Sequence, residues 1–344
     1  MERLSGPPPG PGLEPALPEG KIDAAVLAGL LPDGGARPDV LVGAAIGEDA
    51  AVVAGAPRLV MTGDPITLAG DAIGRYAVAV NCNDLVAMGA EPRYLTTTVL
   101  LPPGTTRGAL EELFAELAAA ANSAGVAWVG GHTEITGAVT RPVVAAAAVG
   151  MLEGEPWSST RVRPGDAIVL TKWVALEGTT LLARERRDAA ALLGDRHAAA
   201  ARWLDAPGIS VVAEGRVLRA FEVHAAHDPT EGGVAAGLHE LASCSGVAIE
   251  VDAAAVPIRE ATRRLCRTLR IDALGLLASG ALLFSAAPEE AERAAAALRE
   301  AGIPAAVIGA AHGGSGVTLR TASGSRPLPA YPVDEIYRVG SEVP

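Results

Sequence analysis

The chain has 344 residues, of which 49% are hydrophobic, and it carries 40 acidic against 28 basic residues, a net charge of −12. This hydrophobic content excludes wholesale disorder, and the length predicts two domains or one large domain. The acidic balance argues against non-specific nucleic-acid binding, which needs a basic surface, whereas a metal ion could still attract a small anion locally.

The first half of the chain alternates strand and helix patterns. Residues 1–20 are rich in Pro and Gly, and residues 21–31 could form a short helix. Strands are predicted over 58–62, 95–101, 126–129 and 141–150, and helices over 74–88 and 104–124. The helix over 104–124 has the clearest pattern, because its large apolar residues recur at i, i+3, i+4 and i+7, and Gly125 follows it in the position that ends a helix.

A polar segment over 153–164, rich in Pro, Gly and Ser, predicts a linker before the pattern restarts. Beyond it, strands are predicted over 166–171, 247–251, 281–285, 305–309 and 316–320. Helices are predicted over 179–187, 198–205, 210–220, 234–243 and 288–301. The order of these elements lacks a strict strand-helix-strand rhythm and predicts an α+β fold in both halves.

Three widely spaced cysteines, Cys82, Cys244 and Cys266, form no C-x-x-C pair. They predict free thiols in a reducing cytoplasm rather than a disulfide framework or a zinc site. The longest apolar run covers 143–152, about half of the ~20 residues that a membrane span needs. The N-terminus shows no apolar segment typical of a secretory signal. We therefore expect a cytoplasmic protein without a membrane partner.

Four short segments contain carboxylates that are candidates for a functional site. They are Gly47-Glu48-Asp49 before an apolar run, Thr62-Gly63-Asp64 after a strand, Asn81-Cys82-Asn83-Asp84 inside an apolar helix, and Asp228-Pro229-Thr230-Glu231-Gly232-Gly233 before a helix. Hard cations such as Mg²⁺ take carboxylate oxygens from several chain segments together with substrate phosphates. Four such segments in one chain favour a site that binds metal and phosphate.

Asp84 is the most informative of these carboxylates. It shares a helix face with Asn81, three residues earlier, in a helix otherwise made of small and apolar residues. A charge in such a helix costs several kcal/mol unless it is paired or bound to metal. A helix cap or an ion pair with an Arg is the alternative to a metal ligand.

Gly130-Gly131 follows the strand over 126–129 and precedes His132-Thr133-Glu134. A glycine pair after a strand lets backbone N–H groups approach a phosphate, although a plain turn is the more common explanation of such a pair. The chain contains neither a P-loop nor a dinucleotide fingerprint, so a nucleotide would need a different fold.

Taken in chain order, five motifs resemble one superfamily. It contains aminoimidazole ribonucleotide (AIR) synthase, thiamine-monophosphate kinase, selenophosphate synthetase and the hydrogenase-maturation dehydratase HypE, and it is called PurM-like. The motifs are 47–52, 62–67, 83–92, 130–134 and 228–233. The resemblance spans about residues 21–319 and is closest to HypE and its AIR synthase-related relatives.

The resemblance implies a two-domain PurM-like fold. An N-terminal αβ domain would join a second subunit in a dimeric β-barrel, and a C-terminal α+β domain would follow. The implied division is a Pro/Gly-rich segment and short helix over 1–37, an ATP-binding domain over 38–152, a C-terminal domain over 160–330 and a tail over 331–344. It also implies a homodimer and a protein partner from a maturation pathway.

The resemblance further implies ATP and Mg²⁺ as cofactors and assigns residues to them. Metal ligands carry over onto Asp49, Asp64, Asp84 and Asp228, with Asp84 also expected to be catalytic. Nucleotide contacts are expected from a second set: Lys21, Asn83, Gly130, Gly131, Thr133 and Glu134. Lys172, the lone lysine of the second domain, is expected to contact substrate or phosphate as a second catalytic residue.

The expected activity is ATP- and Mg²⁺-dependent phosphoryl transfer to an oxygen of a small or carbamoyl-type substrate, followed by loss of phosphate, as in a dehydratase or synthase. A small-molecule kinase that leaves a stable phosphorylated product is one alternative. The HypE-type dehydratase carries its carbamoyl group on a C-terminal cysteine, and this chain has no cysteine after Cys266. A nucleotide-binding maturation factor without turnover is therefore a second alternative.

Overall fold

The computed structural model describes residues 17, 20–21, 26, 29–30, 38, 40–42, 52–53, 58–67 and 72–339. Asp49 and the rest of the 47–51 motif lie outside the described residues. So do most of the Pro/Gly-rich N-terminal segment and the residues after 339.

The described residues form two compact units that interleave along the chain. The first contains the described residues up to 57 together with 61–81 and 93–149. The second contains 58–60, 82–92 and the chain from 150 onward. The helix α1 (Ile73–Ala87) therefore contributes residues to both units. The four-part domain division expected from the sequence stays a prediction.

A five-stranded sheet organises the first unit, in the order β1-β6-β5-β7-β4. Its strands are β1 (Gly20–Lys21), β4 (Leu59–Ile66), β5 (Glu91–Leu101), β6 (Ala127–Ile135) and β7 (Val143–Met151). β5 and β6 run parallel, whereas β1 pairs antiparallel with β6. A separate antiparallel pair consists of β2 (Val40–Val42) and β3 (Val52–Val53).

The helix α2 (Arg107–Ala124) confirms the clearest prediction from the sequence. The Thr106 side chain accepts a hydrogen bond from the Ala109 N–H and so caps the helix start. Leu110, Phe114 and Leu117 are almost completely buried. Gly125 ends the helix with a φ of 75°, a conformation that glycine adopts without steric cost.

The second unit contains a seven-stranded sheet in the order β14-β13-β10-β12-β8-β11-β9. Its strands are β8 (Ala167–Thr171), β9 (Ala225–His227), β10 (Val247–Asp252), β11 (Leu283–Ala286), β12 (Ala305–Gly313), β13 (Gly316–Thr321) and β14 (Gly324–Pro327). All five residues of β8 are buried, which places this strand in the core. β10 and β13 pair in parallel, and the other pairings of the sheet are antiparallel.

The α-helices of the second unit pack around this sheet and beside it. They are α3 (Leu176–Glu185), α4 (Ala189–Leu193), α5 (His197–Ala201), α6 (Val212–Leu218), α7 (Gly233–Ser245), α8 (Glu260–Leu269) and α9 (Pro288–Glu300). Short 3₁₀ turns cover Ser159–Arg161, Gly194–Arg196, Ala273–Gly275 and Glu335–Val339. Two sheets with mixed pairing and packed helices confirm the predicted α+β class.

Three predicted elements are corrected by the structure. Residues 20–21 form strand β1 where a helix was predicted to begin. β4 continues through Ile66, so Asp64 lies inside the strand and not at its exit. β6 likewise continues through Gly130-Gly131 to Ile135, because a bulge absorbs one residue between the pairs Leu95–Trp128 and Thr96–Gly130.

Candidate functional site

Asp64 is held in place through its backbone by Asn81. The Asn81 side-chain oxygen accepts a hydrogen bond from the Asp64 N–H at 2.9 Å, and its amide nitrogen donates to the Asp64 carbonyl at 3.2 Å. The same nitrogen donates to the Ala77 carbonyl one turn earlier in α1, at 2.9 Å. Asn81 is fully buried, so these bonds form without competition from water. Asn81 thus fixes the strand position from which the Asp64 carboxylate projects.

Strands β1 and β6 bring several predicted nucleotide contacts together. Lys21 pairs with Glu134 in the antiparallel register, directly opposite it. The Glu134 carboxylate also lies 3.3 Å from the His132 ring. Thr133 is 8% exposed, so its side chain faces the opposite, buried side of the strand.

Gly131 allows the close pairing of β6 with β5. An added Cβ on Gly131 would lie 1.8 Å from the Thr97 carbonyl oxygen of β5. The Trp128 indole N–H donates both to the Gly130 carbonyl and to the Thr97 hydroxyl, at 3.1 Å each. The close approach of β5 therefore explains Gly131 without a ligand, and the predicted phosphate contact of the glycine pair stays a prediction.

In the second unit, Asn83 is fully buried and holds a loop backbone. Its amide nitrogen donates to the Ile209 carbonyl and its oxygen accepts from the Val211 N–H, both at 2.8 Å. The side chain predicted to contact nucleotide thus fixes residues 209–211 in this structure.

Asp84 lies one residue further along α1 and is partly exposed. Burial, together with the nearby charge of Asp84, raises the pKa of the Cys82 thiol to about 12. Cys82 therefore remains a neutral buried thiol at physiological pH. The carboxylate of Asp84 is accordingly the group of this segment that is suited to bind a cation.

Asp228 directly follows β9 and is 7% exposed. Its neighbour His227 forms a short hydrogen bond to Glu240 of α7. Burial of the ring lowers the pKa of His227, but the hydrogen bond to Glu240 and the charge of Asp228 outweigh this effect and raise it above its ordinary value. The structure thus places the His227 imidazole close to the carboxylates of Asp228 and Glu240 at this strand end.

The loop after Asp228 turns into α7 through two glycines in the left-handed region, Gly232 at φ 76° and Gly233 at φ 65°. A Cβ on Gly233 would lie 2.4 Å from the Leu274 carbonyl oxygen, so no larger residue fits there. Asp334 accepts a hydrogen bond from the Gly232 N–H at 2.7 Å and fastens the loop to the segment before the chain end.

Lys172 lies directly after β8, with a left-handed φ of 52°. Its ammonium forms an ion pair with Glu214 of α6 at 2.7 Å and donates to the Ser210 carbonyl at 2.6 Å. Both side chains are at least 94% buried. The structure therefore places this predicted catalytic lysine in a buried ion pair.

No group of three or more His, Cys, Asp or Glu residues is arranged to hold a metal ion within the part of the chain that the structure describes. Asp49 lies outside that part, so the predicted four-carboxylate set stays a prediction. No helix among the described residues is long and apolar enough to cross a membrane.

Several acidic residues that the sequence interpretation did not single out are deeply buried, among them Glu177 and Asp334. Glu177, in the first turn of α3, is 6% exposed, and Asp334 is 2% exposed. Burial raises the pKa of Asp334 even though it accepts backbone hydrogen bonds from Ile336, Gly232 and Leu277. Glu177 is the only acid in a run of small and apolar residues over 174–183. The same kind of signal identified Asp84, so it was available in the sequence for Glu177 as well.

Comparison with known families accounts for both halves of the chain. Residues 47–152 match the model of the AIR synthase related protein N-terminal domain, and residues 163–321 match that of its C-terminal domain.

Individual relatives agree with these matches. The carbamoyl dehydratase HypE of Rhodobacter capsulatus is 32% identical over 289 residues, which is 80% of this chain and 82% of the relative. A crystal structure of HypE in complex with ATP superposes with a TM-score of 0.72 at 29% identity, covering 89% of this chain and 93% of the other. HypE also matches in a solved complex with HypF.

A thiamine-monophosphate kinase from Stenotrophomonas maltophilia K279a superposes with a TM-score of 0.69 at 28% identity, covering 83% of this chain and 92% of the kinase. These likenesses confirm the PurM-like fold and the resemblance that the five motifs predicted. The chain belongs to the AIR synthase related protein family.

Proposed function

We propose that this protein is an ATP- and Mg²⁺-dependent enzyme that phosphorylates the oxygen of a carbamoyl-type substrate, so that the oxygen leaves as phosphate. The observation that carries this proposal is the likeness to HypE across both family domains, including HypE in complex with ATP. The name of the Rhodobacter relative, a carbamoyl dehydratase, supports the substrate class and the dehydration.

The carboxylates of the described residues suit Mg²⁺. Mg²⁺ bound with a nucleotide usually takes only one or two carboxylates, together with phosphate oxygens and waters. A group of three protein ligands is therefore not required, and Asp64, Asp84 and Asp228 each offer a hard carboxylate oxygen for such an ion. When bound, the ion would neutralise charge on the phosphates during transfer.

The chain's own residues would then position and bind the nucleotide. Asn81 fixes the Asp64 backbone and Asn83 fixes residues 209–211, so within each unit a buried asparagine holds a backbone segment in one conformation. Lys21 and Glu134, paired across β1 and β6, are proposed as nucleotide contacts.

A second candidate function is that of a small-molecule kinase. The likeness to thiamine-monophosphate kinase at 28% identity favours it. The two functions differ in their product, because a kinase leaves a phosphorylated substrate, whereas a dehydratase releases free phosphate and a dehydrated compound. Product analysis by ³¹P NMR therefore separates them.

A protein partner from a maturation pathway and a homodimer complete the proposal. The solved HypE–HypF complex supports a partner of that kind. The exposed outer strand β4, with Leu59 at 54% and Met61 at 73% exposure, supports a second copy of this chain at that edge.

The Asp84→Asn variant tests the proposed function. The substitution keeps the shape of the side chain and removes its charge. We expect Mg²⁺-dependent ATP turnover to fall about 100-fold or more, as on removal of one preorganised electrostatic group. ADP and phosphate release are measured with and without EDTA, and ATP binding is measured by calorimetry.

The matched control is Asp195→Asn, because Asp195 has an 80% exposed side chain that pairs with its neighbour Arg196. This control should turn over ATP like the wild type. Full activity of Asp84→Asn, or turnover that resists EDTA, would contradict the proposed function.

A further inference from the structure

Glu177 has a buried carboxyl oxygen without an internal partner. The residue is 6% exposed, and its Oε2 atom has no hydrogen-bond partner among the described residues. A buried polar atom left unsatisfied costs free energy, so a structure that keeps one needs a reason to do so. A ligand group that completes this hydrogen bond is such a reason.

The turn before α3 fixes Glu177 rigidly. Lys172 and Ala175 are both in the left-handed region, at φ 52° and 55°, which is strained for residues with a Cβ. The ion pair between Lys172 and Glu214 holds one end of the turn. In the middle of the turn, the Val174 N–H donates a hydrogen bond to the Pro257 carbonyl at 3.0 Å.

Two further contacts complete this support. The Arg259 guanidinium stacks on the Trp173 ring at 3.5 Å and lies 4.6 Å from the Trp203 ring. The Gly178 N–H donates to the Leu277 carbonyl at 2.9 Å. Strain that is held by this many contacts is typical of functional sites, where it aims a side chain.

The surroundings of the Glu177 carboxyl stabilise its neutral form more than water would. Ser279 hydrogen-bonds the carboxyl through its side chain and its backbone. Burial raises the pKa of Glu177 to about 7, the Ser279 bonds oppose this, and the charges of Asp334 and Glu231 add to the rise. Glu231 in turn accepts a hydrogen bond from the Tyr337 hydroxyl at 3.2 Å.

We propose that Glu177 is the residue that accepts a proton from the substrate in the reaction proposed above. This inference rests on the proposed function and adds a proton acceptor to it. A buried carboxyl with one bonded and one unsatisfied oxygen is able to take a substrate N–H or O–H as its missing partner.

The step balances with ATP as the only co-reactant. The carbamoyl oxygen attacks the γ-phosphorus, the bond to the bridging oxygen breaks, and its electron pair leaves on ADP. One N–H proton passes to the Glu177 carboxylate. The C–O bond then breaks, a C≡N bond forms, and phosphate leaves with the second N–H proton, after which Glu177 releases its proton to solvent.

The Glu177→Gln variant tests this inference by turnover. We expect it to bind ATP with Mg²⁺ like the wild type in calorimetry, while ADP release with a carbamoyl substrate falls about 100-fold or more. The wild-type rate should rise with pH around an ionisation near 7, and the residual rate of the variant should lack that rise. Wild-type turnover in the variant, or the same pH profile, would overturn the proposal.

A second measurement needs no activity. Because the fold favours protonated Glu177, its contribution to stability is fully present below the unfolded-state pKa and decreases as the pH rises to about 7. Denaturant unfolding should therefore show the wild type losing stability relative to Glu177→Gln over this range. A constant difference between the two proteins would overturn the proposal.

The matched control is Glu250→Gln, because Glu250 has a 40% exposed side chain that pairs with Arg320. It should behave like the wild type in both experiments. The two failures are distinguishable: if the proposed function fails, the wild type does not bind ATP, whereas if only this inference fails, Glu177→Gln binds and turns over ATP normally.

Discussion

Asn81 and Asn83 are both completely buried, and each uses its amide to hold a peptide backbone. The sequence showed polar residues in an apolar helix and predicted a metal and nucleotide site there, which stays a prediction. It did not reveal which atoms they contact, because hydrogen bonds to a backbone 17 or 126 residues away depend on tertiary packing. Asp84, by contrast, is partly exposed, and its role as a metal ligand stays a prediction.

Lys172 and Glu214 provide a prediction at this scale. Lys172→Met leaves the Glu214 carboxylate buried without its counter-charge. We expect a loss of about 3–5 kcal/mol in the free energy of unfolding, measured by denaturant titration. The double variant Lys172→Met/Glu214→Met should recover most of that loss, because it removes both charges.

The exposed pair between Arg107 and Glu111 is the control, and Arg107→Met should cost under about 1 kcal/mol. A similarly small loss for Lys172→Met would contradict the interpretation of a buried ion pair. A stable double variant without ATP turnover would show that the ion pair serves activity, by a substrate contact of Lys172 or by holding the turn before α3.

Among the elements, those with strong periodicity were predicted well and those without it were not. α2 and α9 were found close to their predicted bounds, because an apolar stripe or a Pro start marks each of them. α8 was missed, since its arginines mask the stripe of Ala261, Leu265 and Cys266 that it buries. The turn at Gly130-Gly131 was wrong, because a glycine pair indicates backbone freedom and does not say whether a turn or a neighbouring strand requires it.

The bulged strand β6 yields a prediction for its glycines. Gly131→Ala places a Cβ against the Thr97 carbonyl, whereas the Cβ of Gly130→Ala meets no atom within 4 Å. The two glycines have nearly the same φ, 154° and 157°, so their backbone costs should be similar. We expect Gly131→Ala to lose about 1–3 kcal/mol more stability than Gly130→Ala, from overpacking alone. Equal melting temperatures for the two variants would contradict the close approach of β5.

At the scale of the whole molecule, the class of fold and the family were predictable, because five motifs in one order specify both. The assignment of residues 82–92 to the second unit was not predictable, because it depends on tertiary packing. The carboxylate motifs likewise identified the segments but not the distances between their carboxylates, because those distances depend on packing. The predicted metal site is therefore defined only by the type of its ligands.

The proposed homodimer provides the prediction at this scale. β4 is an outer strand with an exposed apolar residue, Met61. The backbone N–H and C=O groups on the outer side of such a strand can pair with a strand of another chain. We expect the wild type to sediment as a dimer and Met61→Lys to shift it toward the monomer. Val333→Lys, at a residue that is 60% exposed in the second unit, is the control and should remain dimeric. A Met61→Lys protein that stays fully dimeric would exclude β4 as the dimer edge.

The division of α1 between the two units has a consequence for recombination. Asn83 satisfies Ile209 and Val211, and Val86 lies where a Cβ on Gly215 would meet it at 2.8 Å. A chimera of two family members joined at the 153–164 linker would take the helix from one parent and its partners from the other. A chimera in which residues 82–92 come from the same parent as residues 209–215 should therefore be more stable than one with a single crossover at the linker.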